Sequence, residues 1–181
     1  MIDEIEELFA QYGGEHYGEN ATQLAHALQC ARLSQLAGDP ESLVAAALLH
    51  DVGQFLDDAG NAAEQLGLDA RHEETGAAFL SHAFPPAVTE PVRLHVEAKR
   101  YLCTVQPGYA DRLSAASRLS LELQGGAMTQ DEARAFEREG WFDEAVRLRG
   151  YDDAGKQPGL EVPGLASYRS LLERQLDSAR S

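Results

Sequence analysis

The chain has 181 residues, the size of one ordinary domain with room for a substantial core. Asp and Glu number 30 against 15 Lys and Arg, a net charge of -15, which repels phosphate backbones and anionic lipid alike and argues against nucleic acid or a membrane surface as partner. The opening MIDEIEELFA is acidic where a signal peptide is basic, and the longest strictly apolar run, Leu43 to Leu49, is far too short to span a bilayer. We therefore expect a cytoplasmic protein.

Apolar residues recur at helical spacing almost throughout, with helix punctuation between segments and few β-branched alternations, so the expected class is all-α, one domain over 1–181. Ile2 to Tyr12 forms a first amphipathic piece that runs into Gly13 and Gly14. A second begins after Asn20 or Thr22 and stops at Gly38. Asp39-Pro40 opens a third, where the aspartate can cap free N–H groups and the proline costs nothing in the first turn. Asp57 to Ala70 is polar and reads as a loop. Helices are then expected from Arg71 to Ala83 and, after a break at Pro85-Pro86, from Glu90 to Leu102. Ser114 can cap the next, which Gly125-Gly126 ends. Thr129 and Glu132 have the capping-box spacing, and further helices are expected over Trp141 to Arg149 and Leu165 to Asp177. Cys30 and Cys103 lie in helical stretches without CxxC spacing and read as two buried reduced thiols.

Five of the six histidines, His26, His50, His72, His82 and His95, fall in these helices rather than in solvated loops. One helical histidine alone is most often a satisfied structural residue. His50-Asp51 in LLHDVGQFL changes the weighing. Neighbours on a helix point about 100° apart, so both can address one point only near a helix end or where two metal ions share the carboxylate. Gly53 marks such an end; the plainer alternative is that Asp51 caps the following turn while His50 bonds a carbonyl. In HVEAK, Lys99 stands four residues after His95, which puts a cation on the face of that histidine. Arg149 and Asp152 in RLRGYDD share a face if their helix persists, though spacing alone does not decide between Asp152 and Asp153.

His26, His50-Asp51, His72, His95 and a late Asp152 together resemble the HD-domain superfamily of helical bundles. The words YGENATQLAHALQ, LLHDVGQFL, RHEETGAAFL, EPVRLHVEAKRYL, LSAASRLSLELQGG and LRGYDDAGK are most similar to its small PhnZ- and TmpB-type oxygenases. Those enzymes use a mixed-valent di-iron centre and O2 to cleave the carbon–phosphorus bond of 1-hydroxyphosphonates. The resemblance implies that His26, His50, Asp51 and Asp152 hold one iron and that Asp51 bridges to a second held by His72 and His95. It places phosphonate-binding positions on Lys99, Ser117 and Arg149, and substrate-selecting ones on Tyr17 and Glu19. Some members carry a histidine where this chain has Gln54, which bears on the substrate's amino end; His16 and His82 match nothing and read as structural.

The implied substrate is 2-amino-1-hydroxyethylphosphonate or its N-trimethyl form, giving phosphate with glycine or glycine betaine. An upstream 2-oxoglutarate-dependent hydroxylase would then supply it. The same donors also suit manganese, nickel or zinc. The rival reading is a metal-dependent HD phosphohydrolase acting on a phosphate ester or nucleotide, with a non-catalytic regulatory HD module behind it; the module should have lost ligands, whereas all six positions are filled.

Overall fold

The computed structural model describes residues 1–16, 20–56 and 71–178. Among them are ten α-helices, two 3-10 turns and no strand, as the all-α expectation requires. The helices are α1 (Ile2–Tyr12), α2 (Gln23–Leu36), α3 (Glu41–Leu49), α4 (His72–Leu80), α5 (Pro86–Val105), α6 (Tyr109–Arg112), α7 (Ala115–Leu123), α8 (Gln130–Phe136), α9 (Phe142–Ala154) and α10 (Arg169–Ser178). The 3-10 turns are Val52–Phe55, directly after α3, and Leu165–Tyr168, directly before α10. None of the helices is long and apolar enough to cross a membrane. The expected loop at Asp57 to Ala70 lies outside the described residues.

Every residue of α3 from Leu43 to Leu49 is buried, the mark of a helix surrounded on all sides rather than lying on a surface. It packs against α2, α5, α9 and α10, and its alanines at 45–47 are fully buried, leaving room for the neighbouring helices to come close. The C-terminal end of this central helix therefore delivers His50 and Asp51 into the interior. Phe55, at the end of the following 3-10 turn, is met edge-on by Phe9 at 5.3 Å and stacked by Tyr12 at 5.9 Å, so α1 holds that turn in place.

Asp39 does not cap α3. Pro40 occupies the cap position without a side-chain bond, and the Asp39 carboxylate instead accepts from Ser34 Oγ at 2.8 Å and Tyr151 Oη at 2.6 Å and pairs with Arg147. This ties the α2–α3 corner to α9. The capping expectations at Thr22, Ser114 and Thr129 hold, each hydroxyl accepting from an amide three residues on.

Two helices exceed their expected limits. α5 begins at Pro86, four residues before the expected Glu90, and carries Pro91 inside it. A proline at the first position loses nothing, and Pro91 forgoes one hydrogen bond in a helix that buries Val88, Thr89 and Val92 around it. α9 runs through Gly150 to Ala154. The glycine's propensity cost of about 1 kcal/mol is offset there by tertiary contacts of the residues that follow. A second apolar cluster, Leu94, Ala98, Met128, Ala133, Phe136 and Ala145, joins α5, α8 and α9. At the chain's far end Arg169 pairs with Asp3 and Glu6, and Arg174 makes a two-pronged pair with Glu41.

Candidate metal centre

His50 closes α3 and Asp51 follows at φ -99°, ψ 7°, outside helical geometry. The bend lets two adjacent side chains, which a continuing helix would splay, face one place. Gly53 makes it possible. A Cβ there would stand 2.0 Å from the His72 carbonyl oxygen and 2.7 Å from Gly76 N, so the turn's backbone lies directly on α4 and carries Asp51 to His72.

Four imidazoles surround this carboxylate in two pairs. Asp51 Oδ2 lies 3.5 Å from His50 Nε2 and 3.7 Å from His26 Nε2, while Oδ1 lies 3.3 Å from His72 Nε2 and 3.9 Å from His95 Nε2. Within each pair the nitrogens are 3.2 Å apart, His26 to His50 and His72 to His95. Asp152, from α9, adds Oδ1 at 3.4 Å from His26 Nε2. Asp153 turns away to Arg149 and Tyr109, so of the adjacent pair it is Asp152 that faces the cluster.

The backbone fixes which ring nitrogens are free to bind. Nδ1 of His26, His50 and His95 lies 2.9, 3.0 and 2.7 Å from the carbonyl oxygens of Gly155, Ala47 and Val92. A carbonyl only accepts, so each Nδ1 carries a proton and each Nε2 faces the centre, as a lone pair on His50 and His95, which burial keeps neutral; on His26 burial is outweighed by Cys30 and Asp152, and the ring is raised well above its usual value. Lone pairs facing one another at such range repel unless a cation or proton stands between them. Two nitrogens bound to one ion at ~2.1 Å lie about 3.0–3.4 Å apart, the spacing observed in both pairs. The donor set therefore fits two metal ions sharing one carboxylate. The ligating atoms of Asp51, His72 and His95 fall within 4.8 Å of one another, as do those of His26, His50 and Cys30.

Burial lowers the proton affinity of His50 and takes His95 down to about 3, with His72 and His50 adding to the effect on His95. Burial works against the charge on Asp51 too, but His50, His72 and His26 outweigh it and hold the carboxyl well below the usual range. On His72 burial is likewise outweighed, by Asp51, and the ring is raised. Cations thus find a carboxylate already ionised and two deeply buried rings already neutral.

On the side of Asp152, cations collect. Lys99 is 3% exposed and donates to Ser120 Oγ at 2.8 Å. Burial lowers it to about 8, with Arg149 and Lys156 adding repulsion. Arg149, equally buried, uses all three guanidinium nitrogens: Nε donates to Tyr109 Oη at 3.0 Å, Nη1 to Asp152 Oδ2 at 2.7 Å, and Nη2 to Asp153. Ser117 is buried, its amide bonded to Ser114 Oγ at 3.0 Å and its hydroxyl accepting from Lys156 Nζ at 3.0 Å. Gln54 is half-buried in the 3-10 turn, three positions after Asp51. Tyr17 and Glu19 lie outside the described residues.

Two neighbours escaped the sequence reading. Lys156 stands four residues after Asp152, the same spacing that singled out Lys99 after His95, and could have been found by it. Tyr109 sits on a helix of one turn that no periodicity reveals. Cys30, read as a buried thiol, is one, with Sγ 3.7 Å from His26 Nδ1; Cys103 is only partly buried. His82 and His16 are exposed.

The HD-domain family model matches residues 19–131. The chain belongs to the HD-domain family. It is 44% identical over 177 residues to a hydroxymethylphosphonate dioxygenase of Gimesia maris, covering 97% of this chain and 88% of that one. It is 39% identical over 178 residues to a glycine-betaine-forming 1-hydroxy-2-(trimethylamino)ethylphosphonate dioxygenase of Leisingera caerulea, covering 98% and 91%. An uncharacterized protein of Acanthamoeba polyphaga mimivirus is 33% identical over 181 residues, covering 98% and 83%. These relatives mark the chain as an enzyme of the HD-domain dioxygenase kind, and with the histidine–aspartate cluster they point to a metal-dependent oxygenase.

Proposed function

We propose that the protein is a di-iron oxygenase that cleaves the carbon–phosphorus bond of a small 1-hydroxyphosphonate with O2. The observation that carries this reading is the Asp51 carboxylate standing between two histidine pairs, beside a group of buried cations. His26, His50, Asp51 and Asp152 would hold one iron, and Asp51, His72 and His95 the other. When bound, the iron pair would supply the activation of O2 and the electron transfer that a protein side chain cannot.

The protein's own share is binding and orientation. In a chain of net charge -15, a dianion has to be drawn in by local cations and by the metals themselves. Lys99 and Ser117 offer an ammonium and a hydroxyl to the phosphonate. Arg149 adds positive charge from behind Asp152 while holding that carboxylate in its inward orientation. The reaction balances with one O2: the carbon bearing the hydroxyl becomes a carboxylic acid, the carbon–phosphorus bond breaks, and phosphorus leaves as phosphate.

The substrate is one of three. 2-Amino-1-hydroxyethylphosphonate would give glycine, its N-trimethyl form glycine betaine, and hydroxymethylphosphonate formic acid. The last enters because a 44% identical relative is named for it, and it fits Gln54 standing where some family members carry a histidine toward the amino end. A hydroxylase dependent on 2-oxoglutarate is the class of enzyme that would make the two longer substrates.

The test is phosphate release by the iron-loaded protein from all three compounds, with O2 present and absent. Release from at least one that requires O2, with the matching acid formed one for one, is the expected result. Release that proceeds equally well without oxygen would replace this reading by a metal phosphohydrolase.

A further inference from the structure

Among the chain's 15 basic residues only two are lysines, Lys99 and Lys156. Both reach the same short helix. Lys99 Nζ donates to Ser120 Oγ at 2.8 Å and Lys156 Nζ to Ser117 Oγ at 3.0 Å, and those serines stand three apart on α7, on one face. The Lys156 ammonium also lies 3.5 Å from Asp152 Oδ1, the oxygen that approaches His26 Nε2. It therefore touches both the metal-facing carboxylate and the hydroxyl assigned above to the phosphonate. The surface of this protein is served by arginines, whereas its compact, strongly hydrated ammonium groups are reserved for this side of the centre.

We propose that Lys156 is a substrate-binding residue: with Lys99 it straddles α7, and the two ammonium groups hold separate oxygens of the phosphonate between them. This rests on the phosphonate reading of the site and deepens it. Ser117 and Ser120 act as placeholders, accepting the ammonium protons until phosphonate oxygens take over the contact. Three cations gathered around Asp152 and Asp153 repel one another, and a doubly charged head group relieves that repulsion more than a singly charged one. Lys156 is thus a source of selectivity for phosphonate over monoanions of the same shape.

The experiment is calorimetric titration of anaerobic, iron-loaded protein with methylphosphonate, which lacks the hydroxyl to be oxidised, and with methanesulfonate, its monoanionic isostere. Lys156→Gln is expected to keep both metals, to weaken methylphosphonate by at least about tenfold, and to shrink the preference over methanesulfonate correspondingly. KM for the turned-over phosphonate should rise by a similar factor with kcat changing less, and Lys156→Arg should recover most of the binding. Lys156→Met, which keeps the packing of the stem, gives the same reading should the glutamine variant not fold. Binding within twofold of wild type, or a loss of metal that accounts for the weakening, would overturn the assignment and leave Lys156 as a support for Asp152. If the wild-type protein binds no methylphosphonate and turns over no 1-hydroxyphosphonate, the phosphonate reading itself has failed, and this inference falls with it.

Discussion

Asp51 and His72, on different elements, meet with Oδ1 3.3 Å from Nε2, while the second oxygen of the same carboxylate is turned to His26 and His50. One side chain thus serves two groups of imidazoles. Asp51→Ala is expected to lose both metal ions, whereas His95→Ala, which removes a ring from one pair, should leave close to one ion per chain. Metal analysis after gel filtration decides it, and equal retention in the two variants would remove the bridging role from Asp51.

Much of this centre is legible in the sequence because its residues sit on helices whose composition and punctuation, rather than a long-range fold, mark them out. His26, His72 and His95 are placed by α2, α4 and α5, and the apolar run before His50 already marks a helix buried on all sides. Other features depend on tertiary contacts. The inward turn of Asp152 rather than Asp153 follows from Arg149 and Tyr109, which hold Asp153 elsewhere. The persistence of α9 through Gly150 and of α5 through Pro91 likewise reflects what those helices pack against. Asp39 looks like a cap in sequence, but Ser34, Tyr151 and Arg147 claim its carboxylate in the fold. Long-range partners of this sort leave no local pattern to read.

Gly53 tests the contact between the HD turn and α4. Its missing Cβ would strike backbone atoms of His72 and Gly76 at 2.0 and 2.7 Å, and backbone cannot swing aside as a side chain does. Gly53→Ala should cost on the order of 1–3 kcal/mol in thermal or denaturant unfolding and should empty the His72–His95 side before the His26–His50 side. A variant with wild-type stability and full metal content would show that the turn can retreat from α4 without consequence.

Arg149 is buried between two carboxylates and a phenol, so its removal strands charges rather than merely deleting a contact. Arg149→Ala is expected to lower the unfolding free energy by roughly 3 kcal/mol, the scale for breaking a buried ion pair from one side. Arg149→Lys, which keeps the charge but not the three-way fork, should recover only part of it. Urea unfolding of the metal-free proteins measures this without interference from ligand loss. Unchanged midpoints would mean that Asp152 and Asp153 find water or Lys156 as readily as they find the guanidinium.

On the proposed phosphonate reading, Lys99 is expected to set a pH limit on substrate capture. An ordinary lysine keeps its charge to about pH 10.4, but burial, with Arg149 and Lys156 nearby, brings this one down to about 8. Its folded-state proton is therefore held below that pH and lost above it, so the ammonium proposed to attract a phosphonate disappears as the solution passes through mildly alkaline values. The profile of kcat/KM, which reports the free enzyme, should fall on its alkaline side near pH 8. Lys99→Arg keeps its charge throughout this range, so its profile should lose that limb, even where the maximal rate drops because a guanidinium does not reach the Ser120 position in the same way. An alkaline limb that is unmoved in Lys99→Arg would assign the titration to another group and take Lys99 out of direct contact with the phosphonate.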